Sequence, residues 1–225
     1  MKKLLAAIIA AALLLSGCSL SSRPAVSAPP AETPSPSPTP IVTPTPAPEP
    51  SDDELVLVRD YIPGIFIDLK YATTDNFTGQ VIYDSDEAYL RYGTVKKLLA
   101  AQNKLSGRGL SLKIWDAYRP VSAQFKLWEI CPNPVYVSDP NNGYSKHSRA
   151  NTVDITLVTS TGESIPMPSG FDDFTSLADR DYSDVSAEAA ENARLLESIM
   201  VENGFVPYSG EWWHYSDSVS YDVYG

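Results

Sequence analysis

The chain has 225 residues, 28 acidic against 17 basic, for a formal net charge of −11. So acidic a surface disfavours nucleic acid and anionic lipid headgroups as partners. No internal repeat divides the chain, which rules out a solenoid or array.

Met1-Lys2-Lys3 is positively charged, and Leu4 to Leu15 is an unbroken apolar run. That length suits the hydrophobic region of a signal peptide and is too short to span a bilayer. Leu15-Ser16-Gly17-Cys18 follows and resembles a bacterial lipoprotein cleavage box. The resemblance implies a signal over residues 1–17 and lipidation of Cys18. It also implies a domain anchored to the bacterial membrane by lipid, on the extracytoplasmic side. Eleven of the 19 prolines then fall between Ser19 and Asp53. Proline removes backbone donors and favours polyproline II, so residues 18–53 read as a lipidated cysteine and a Pro/Ser/Thr-rich spacer. At ~3 Å per residue such a spacer reaches ~100 Å. With Cys18 blocked, Cys131 has no partner for an internal disulfide and reads as a half-buried small residue.

Residues 54–225 are enough for one domain with a full core. A strand is expected over Ile65–Tyr71. A helix follows on the spacing of Val95, Leu98, Leu99, Gln102 and Leu105, closed by Gly107. Next come a strand over Leu110–Ala117, a short helix from Pro120 to about Glu129 with proline first, and a strand over Thr152–Val158. Ala187–Asn203 predicts a helix with Ser186 as N-cap and Gly204 as the closing glycine. Strands over Phe205–Tyr208 and Trp212–Ser216 complete the set. Strands and helices do not alternate regularly, so the expected class is α+β, a mainly antiparallel sheet packed against helices on one side.

The chain has only 2 histidines, His147 and His214. Alternation along the Thr152 strand puts Asp154 on the face opposite Val153, Ile155 and Leu157. A carboxylate in so apolar a strand is costly unless paired, hydrogen-bonded or metal-bound. Taken alone, His147 and Asp154 also fit a surface histidine and a hydrogen-bonded core aspartate. Glu211-Trp212-Trp213-His214 adds the second histidine beside a second carboxylate. His147, Asp154 and His214 fill three positions of a tetrahedral zinc site, leaving the fourth for water and Glu211 as general base. Glu211 and His214 are an odd number of residues apart and would face opposite ways on a regular strand. Irregular backbone is therefore expected around Gly210–Trp212. In Ile114-Trp115-Asp116-Ala117-Tyr118-Arg119-Pro120, Arg119 either stabilises an oxyanion in the cleft or pairs with Asp116 at the surface.

Ser145-Lys146-His147 with Asp154, Glu211-Trp212-Trp213-His214-Tyr215 and Trp115-Asp116-Ala117-Tyr118-Arg119-Pro120 resemble the D-alanyl-D-alanine dipeptidases of the zinc D-Ala-D-Ala metallopeptidase superfamily (peptidase family M15). The likeness extends to Lys70–Gly79, Ile165-Pro166-Met167 and Phe171-Asp172, in the family's order, over most of residues 54–215. It implies one Zn2+ per chain and hydrolysis of the free dipeptide to two D-alanines, for cell-wall peptide salvage or remodelling. His147, Asp154 and His214 would be the ligands, Glu211 the base and then the acid, and Arg119 the oxyanion partner. Ser145 would help hold the substrate, while Tyr71 and Asp172 would contact its free amino group. Asp172 also reads as a loop acid beside Asp173. Two departures bear on the cleft. Ala150 replaces a usual glycine, which requires negative φ, and the segment from Arg119 to His147 that roofs the cleft is short. An opener cleft would make a D,D- or L,D-carboxypeptidase of peptidoglycan stem peptides. A non-catalytic wall-peptide-binding lipoprotein is the third reading.

Overall fold

Five strands form the central sheet in the order β2-β4-β5-β7-β6. They are β2 (Phe66–Ile67), β4 (Leu110–Asp116), β5 (Thr152–Thr159), β6 (Phe205–Tyr208) and β7 (Glu211–Asp217). Only the β2–β4 pair is parallel. β1 (Leu55–Leu57) and β3 (Tyr89–Arg91) make a separate antiparallel ribbon, with the single turn α1 (Val58–Tyr61) between them in sequence. The structure, a computed structural model, describes residues 48–225. The signal, Cys18 and the linker up to residue 47 lie outside the described residues. Among the described residues no helix is long and apolar enough to cross a membrane.

The long helices α2 (Tyr92–Ser106) and α4 (Ala187–Glu202) match the periodicity read from the sequence. Val95, Leu98, Ala101 and Leu105 of α2 and Ala193, Leu196, Ile199 and Met200 of α4 are buried in one core. Leu112 and Ile114 of β4 and Val153, Ile155 and Leu157 of β5 join them there. Ser186 caps α4, its Oγ accepting the Ala189 N–H at 3.2 Å. Gly204 closes it at φ 86°, where a side chain is strained. The third helix, α3 (Val121–Ile130), begins one residue later than expected, because Pro120 keeps extended backbone at its N-cap.

The strand expected over Ile65–Tyr71 shrinks to the two residues of β2, followed by a 3₁₀ turn at Lys70–Ala72. That turn buries Tyr71, which an extended run would have left in line with its neighbours. The segment 164–174 covers the other side of the sheet. There Trp115 packs against Phe171 and Trp212, with ring centroids 5.7 and 5.6 Å apart, and Ser169 Oγ accepts the Trp212 indole N–H. Burial on both sides explains why β5 is buried at every residue from Thr152 to Val158. Replacing Gly204 by Ala should destabilise the domain by about 1 kcal/mol, the left-handed strain outweighing the gain in chain entropy. Urea unfolding with an unchanged m-value would measure it.

Candidate active site

β5 is regular, and the strands on either side of it are not. On β4, Ile114 and Asp116 pair with the adjacent residues Ile155 and Asp154, so Trp115 is one residue too many. The extra residue turns Asp116 toward Asp154 instead of the helix-packed core. On β7, Tyr215 pairs with Pro207 but Glu211 pairs with Tyr208, leaving Trp212 to His214 unmatched by β6. Both indoles are buried, against the alternation of a flat strand. The break lies where the odd spacing of Glu211 and His214 demanded one, and it brings Glu211 Oε2 to 3.4 Å from His214 Nδ1.

His147 arrives from a 3₁₀ turn, Lys146–Arg149, whose first N–H groups are capped by Ser145: its Oγ accepts the His147 N–H at 3.3 Å. The turn leaves through Ala150 at φ 58° and ψ 27°. The negative φ expected there is corrected, since reversing into β5 within two residues requires a left-handed step. Its strain, of order 1–2 kcal/mol, is held by local bonds. The Ala150 carbonyl accepts from Arg91 N–H at 2.8 Å, and its own N–H donates to His147 O at 3.0 Å. Arg91 also donates to the carbonyls of Asp53, Arg149 and Asp222. The segment 219–224 runs along the turn. It accepts from Arg149 at Tyr221 O and from Asn151 at Val219 O, and donates from Tyr224 N–H to Ser148 O.

Donor atoms of His147, Asp154 and His214 lie within 4.8 Å of one another. His147 Nδ1 is 2.9 Å from the Ala117 carbonyl and must carry a hydrogen there. Its Nε2 then faces Asp154 Oδ2 at 3.3 Å and His214 Nδ1 at 3.4 Å. His214 Nδ1 also lies 3.0 Å from Asp154 Oδ1. Lone pairs converge on one point, and a divalent cation there would satisfy all of them. Two imidazoles and a carboxylate are the donor set of an open zinc site. The second bond of His147, to a backbone carbonyl, fixes the tautomer that leaves Nε2 free.

The charges differ sharply within a few ångströms. Burial alone would raise Asp154, but His147 and His214 outweigh it and hold that carboxyl well below the usual range. Glu211 goes the other way. Burial, then the charges of Asp154 and Asp172, push it up to about 7.

One cavity of about 300 Å³ is lined by Tyr71, Arg119, Ser145, His147, Asp154, Asp172, Glu211 and His214, so all eight residues singled out in the folded part meet there. Arg119 is paired to Asp116, as one reading had it, but both are buried. Asp116 and Gln124 take its Nε–H, one Nη1–H and one Nη2–H, leaving one N–H on each terminal nitrogen. Its guanidinium carbon lies 5.1 Å from the centre of the Tyr71 ring. Tyr71 donates to Asp172 Oδ2 at 2.7 Å. Asp172 lies in a turn beside Asp173, but it faces the cavity through its bond to Tyr71, whereas Asp173 accepts from Thr175 in solvent. Burial first, then Asp154, raises Asp172 to about 7 against the opposing Tyr71 bond.

Sequence reasoning missed Asp116 as a buried anchor, along with Tyr83 and Gln124. Tyr83 donates to Asp116 Oδ1 at 2.5 Å. Gln124 passes its amide N–H to Ser138 O. Only Asp116 carried a signal, as a charge at the end of an apolar strand. The short segment after α3 does roof the cavity, through Pro134 to Ser138, and Tyr136 stacks on Phe174 at 4.4 Å.

A mainly antiparallel α+β domain with this buried donor set and a carboxyl beside it has the parts of a metallopeptidase, the class to which its family match assigns it. The family model for D-ala-D-ala dipeptidase (peptidase M15) matches residues 51–221, and the chain belongs to that family. It is 40% identical over 162 residues to the D-alanyl-D-alanine dipeptidase of Escherichia coli K12, covering 72% of this chain and 83% of that one. The D-alanyl-D-alanine dipeptidase of Streptomyces coelicolor is 37% identical over 187 residues (72% and 91% covered), and that of Enterococcus faecium 36% over 174 (68% and 86%). A solved structure, VanYB in complex with D-Alanine-D-Alanine, overlaps with a TM-score of 0.40 at 15% identity, over 60% of this chain and 75% of that one.

Replacing Asp116 by Ala should cost about 3–5 kcal/mol, because Arg119 would remain buried without its counter-charge. Urea unfolding would show it, and Asp116→Asn should lose less.

Proposed function

We propose that this metallopeptidase is a zinc enzyme that hydrolyses free D-alanyl-D-alanine to two D-alanines. The supporting observation is that one cavity joins the His147/Asp154/His214 cluster and Glu211 to a further, half-buried carboxylate, Asp172. Its volume of about 300 Å³ is at the small end for ligand pockets, which suits a dipeptide better than a stem peptide. The names of the relatives at 36–40% identity point the same way.

His147, Asp154 and His214 would hold the ion. Zinc supplies a lowered pKa for bound water and a Lewis acid for the carbonyl. Glu211, raised to about 7, takes a proton from the attacking water and returns it to the leaving amine. The two uncommitted N–H groups of Arg119 receive the charge that develops on the carbonyl oxygen. Asp172 receives the substrate ammonium, which must be neutralised as it leaves water, and Tyr71 fixes the orientation of that carboxylate. Ser145 contributes a hydroxyl at the cavity wall while capping the His147 turn. The lipoprotein-like leader and proline-rich spacer support an enzyme held outside the membrane, acting in wall-peptide salvage or remodelling.

The test is a substrate panel of D-Ala-D-Ala, its N-acetylated form and a stem pentapeptide, with and without a chelator. Only the free dipeptide should be cleaved, with activity lost on chelation and restored by zinc. Glu211→Gln should lower kcat by about 100- to 10,000-fold while binding zinc normally. Cleavage of the pentapeptide would replace this reading with a carboxypeptidase. Zinc binding without any cleavage would leave a wall-peptide-binding protein.

Binding should also depend on pH through Asp172. A carboxyl at about 7 must be ionised to pair with an ammonium, so affinity is present above that pH and lost below it. Titration calorimetry of D-Ala-D-Ala with Glu211→Gln should show Kd rising as pH falls from 8 toward 5, by about tenfold per unit at the steepest. Adding Asp172→Asn should abolish the slope.

A further inference from the structure

The break in β7 costs hydrogen bonds. Carbonyls at Tyr208 and Glu211, the pair just beyond the break, and at His214 inside it border the interrupted ladder, and a carbonyl left without a donor where water is excluded is destabilising. One side chain answers all three. Arg180, in the loop before α4, donates from Nε to Tyr208 O at 2.7 Å. From the single nitrogen Nη2 it donates to Glu211 O at 3.1 Å and to His214 O at 3.2 Å. Nη1 donates to Glu197 Oε2 at 2.9 Å and to the Tyr215 hydroxyl at 3.1 Å. Every N–H of the guanidinium is therefore used, and its carbon lies 4.7 Å from the centre of the Tyr215 ring. Glu197 on α4 braces the group from the far side.

We propose that Arg180 is a positioning residue whose planar fork fixes the peptide groups of Glu211 and His214, so that both side chains converge on Asp154 and His147. Glu211 and His214 carry, on the zinc-hydrolase reading above, the base and a ligand, and the functional half of this inference rests on that reading. Their carbonyls share one nitrogen of Arg180, so a rigid group bridges the two peptide groups on the side where β6 gives no ladder between them. A lysine could bring the charge but not the fork, since its donors radiate from one point. An ordinary ion pair with Glu197 would need none of the three carbonyl bonds.

The experiment compares the full chain with Arg180→Gln, Arg180→Lys and Glu197→Ala. In metal-free protein, Arg180→Gln should speed amide hydrogen exchange at residues 211–214 by about tenfold, with β4 and β5 unchanged. Zinc affinity, measured by competition with a chelating dye, should fall about 10- to 100-fold. On D-Ala-D-Ala kcat should fall more than KM rises. Arg180→Lys should behave like Arg180→Gln, and Glu197→Ala should show the same changes more weakly. Exchange at 211–214 equal to the parent's would overturn the proposal, and so would full restoration by lysine. If Arg180→Gln fails to fold, Glu197→Ala decides, with unchanged exchange at 211–214 counting against the clamp. A parent that binds no zinc would sink the hydrolase reading while the exchange measurement still judged Arg180.

Discussion

Between the pairs Pro207–Tyr215 and Tyr208–Glu211, β7 carries three residues that β6 does not match. A regular strand would put Glu211 and His214 on opposite sides of the sheet, one in the cleft and one against the helices. The surplus residues reverse that parity, and the two buried indoles of Trp212 and Trp213 anchor the distorted stretch. On the other side of β5 the extra Trp115 does a similar thing for Asp116. Asp154 therefore stands on the one straight strand of the site, with a bent neighbour delivering groups from each flank. Bulges next to active sites re-aim side chains in this way. Here two of them converge on a single aspartate.

The same arrangement sorts the acids. Asp154, Asp172 and Glu211 line one small cavity, with Asp116 buried behind His147, and like charges so close cannot all be accommodated alike. Asp116 is matched by Arg119, and Asp154 is kept ionised by two imidazoles. Glu211 and Asp172 lack a cation of their own and are pushed up by burial first and then by the charge of Asp154. Environments that separate titrating groups in this manner assign their roles: fixed charges on one hand, proton carriers or ammonium acceptors on the other.

The donor cluster was legible in the sequence because histidines are scarce and each shares a short motif with an acid, Asp154 seven residues after His147 and Glu211 three before His214. The break in β7 follows from the odd spacing of Glu211 and His214 once both belong to one site. Helices α2 and α4 and most strands followed from periodicity and caps. What stayed hidden depends on contacts between distant segments. Arg180 lies in an acidic loop whose local sequence gives it no task, and its partners are 17 to 35 residues away. Tyr83 and Gln124 hold the Asp116–Arg119 pair from loop and helix positions that no pattern marks. The left-handed Ala150 was misjudged because local preference favours negative φ, whereas the tight return into β5 overrules it.

Terminal segments of a domain are ordinarily the first to fray. In this chain the stretch 219–224 is bonded to Ser148, Arg149 and Asn151, on either side of the turn's last step. Arg91 ties Asp53 and Asp222 to the same turn through one guanidinium. Opening either end therefore loosens the loop that presents His147. Cleavage within this stretch, or a bulky substitution there, would reach the metal-donor cluster without touching any residue that lines it.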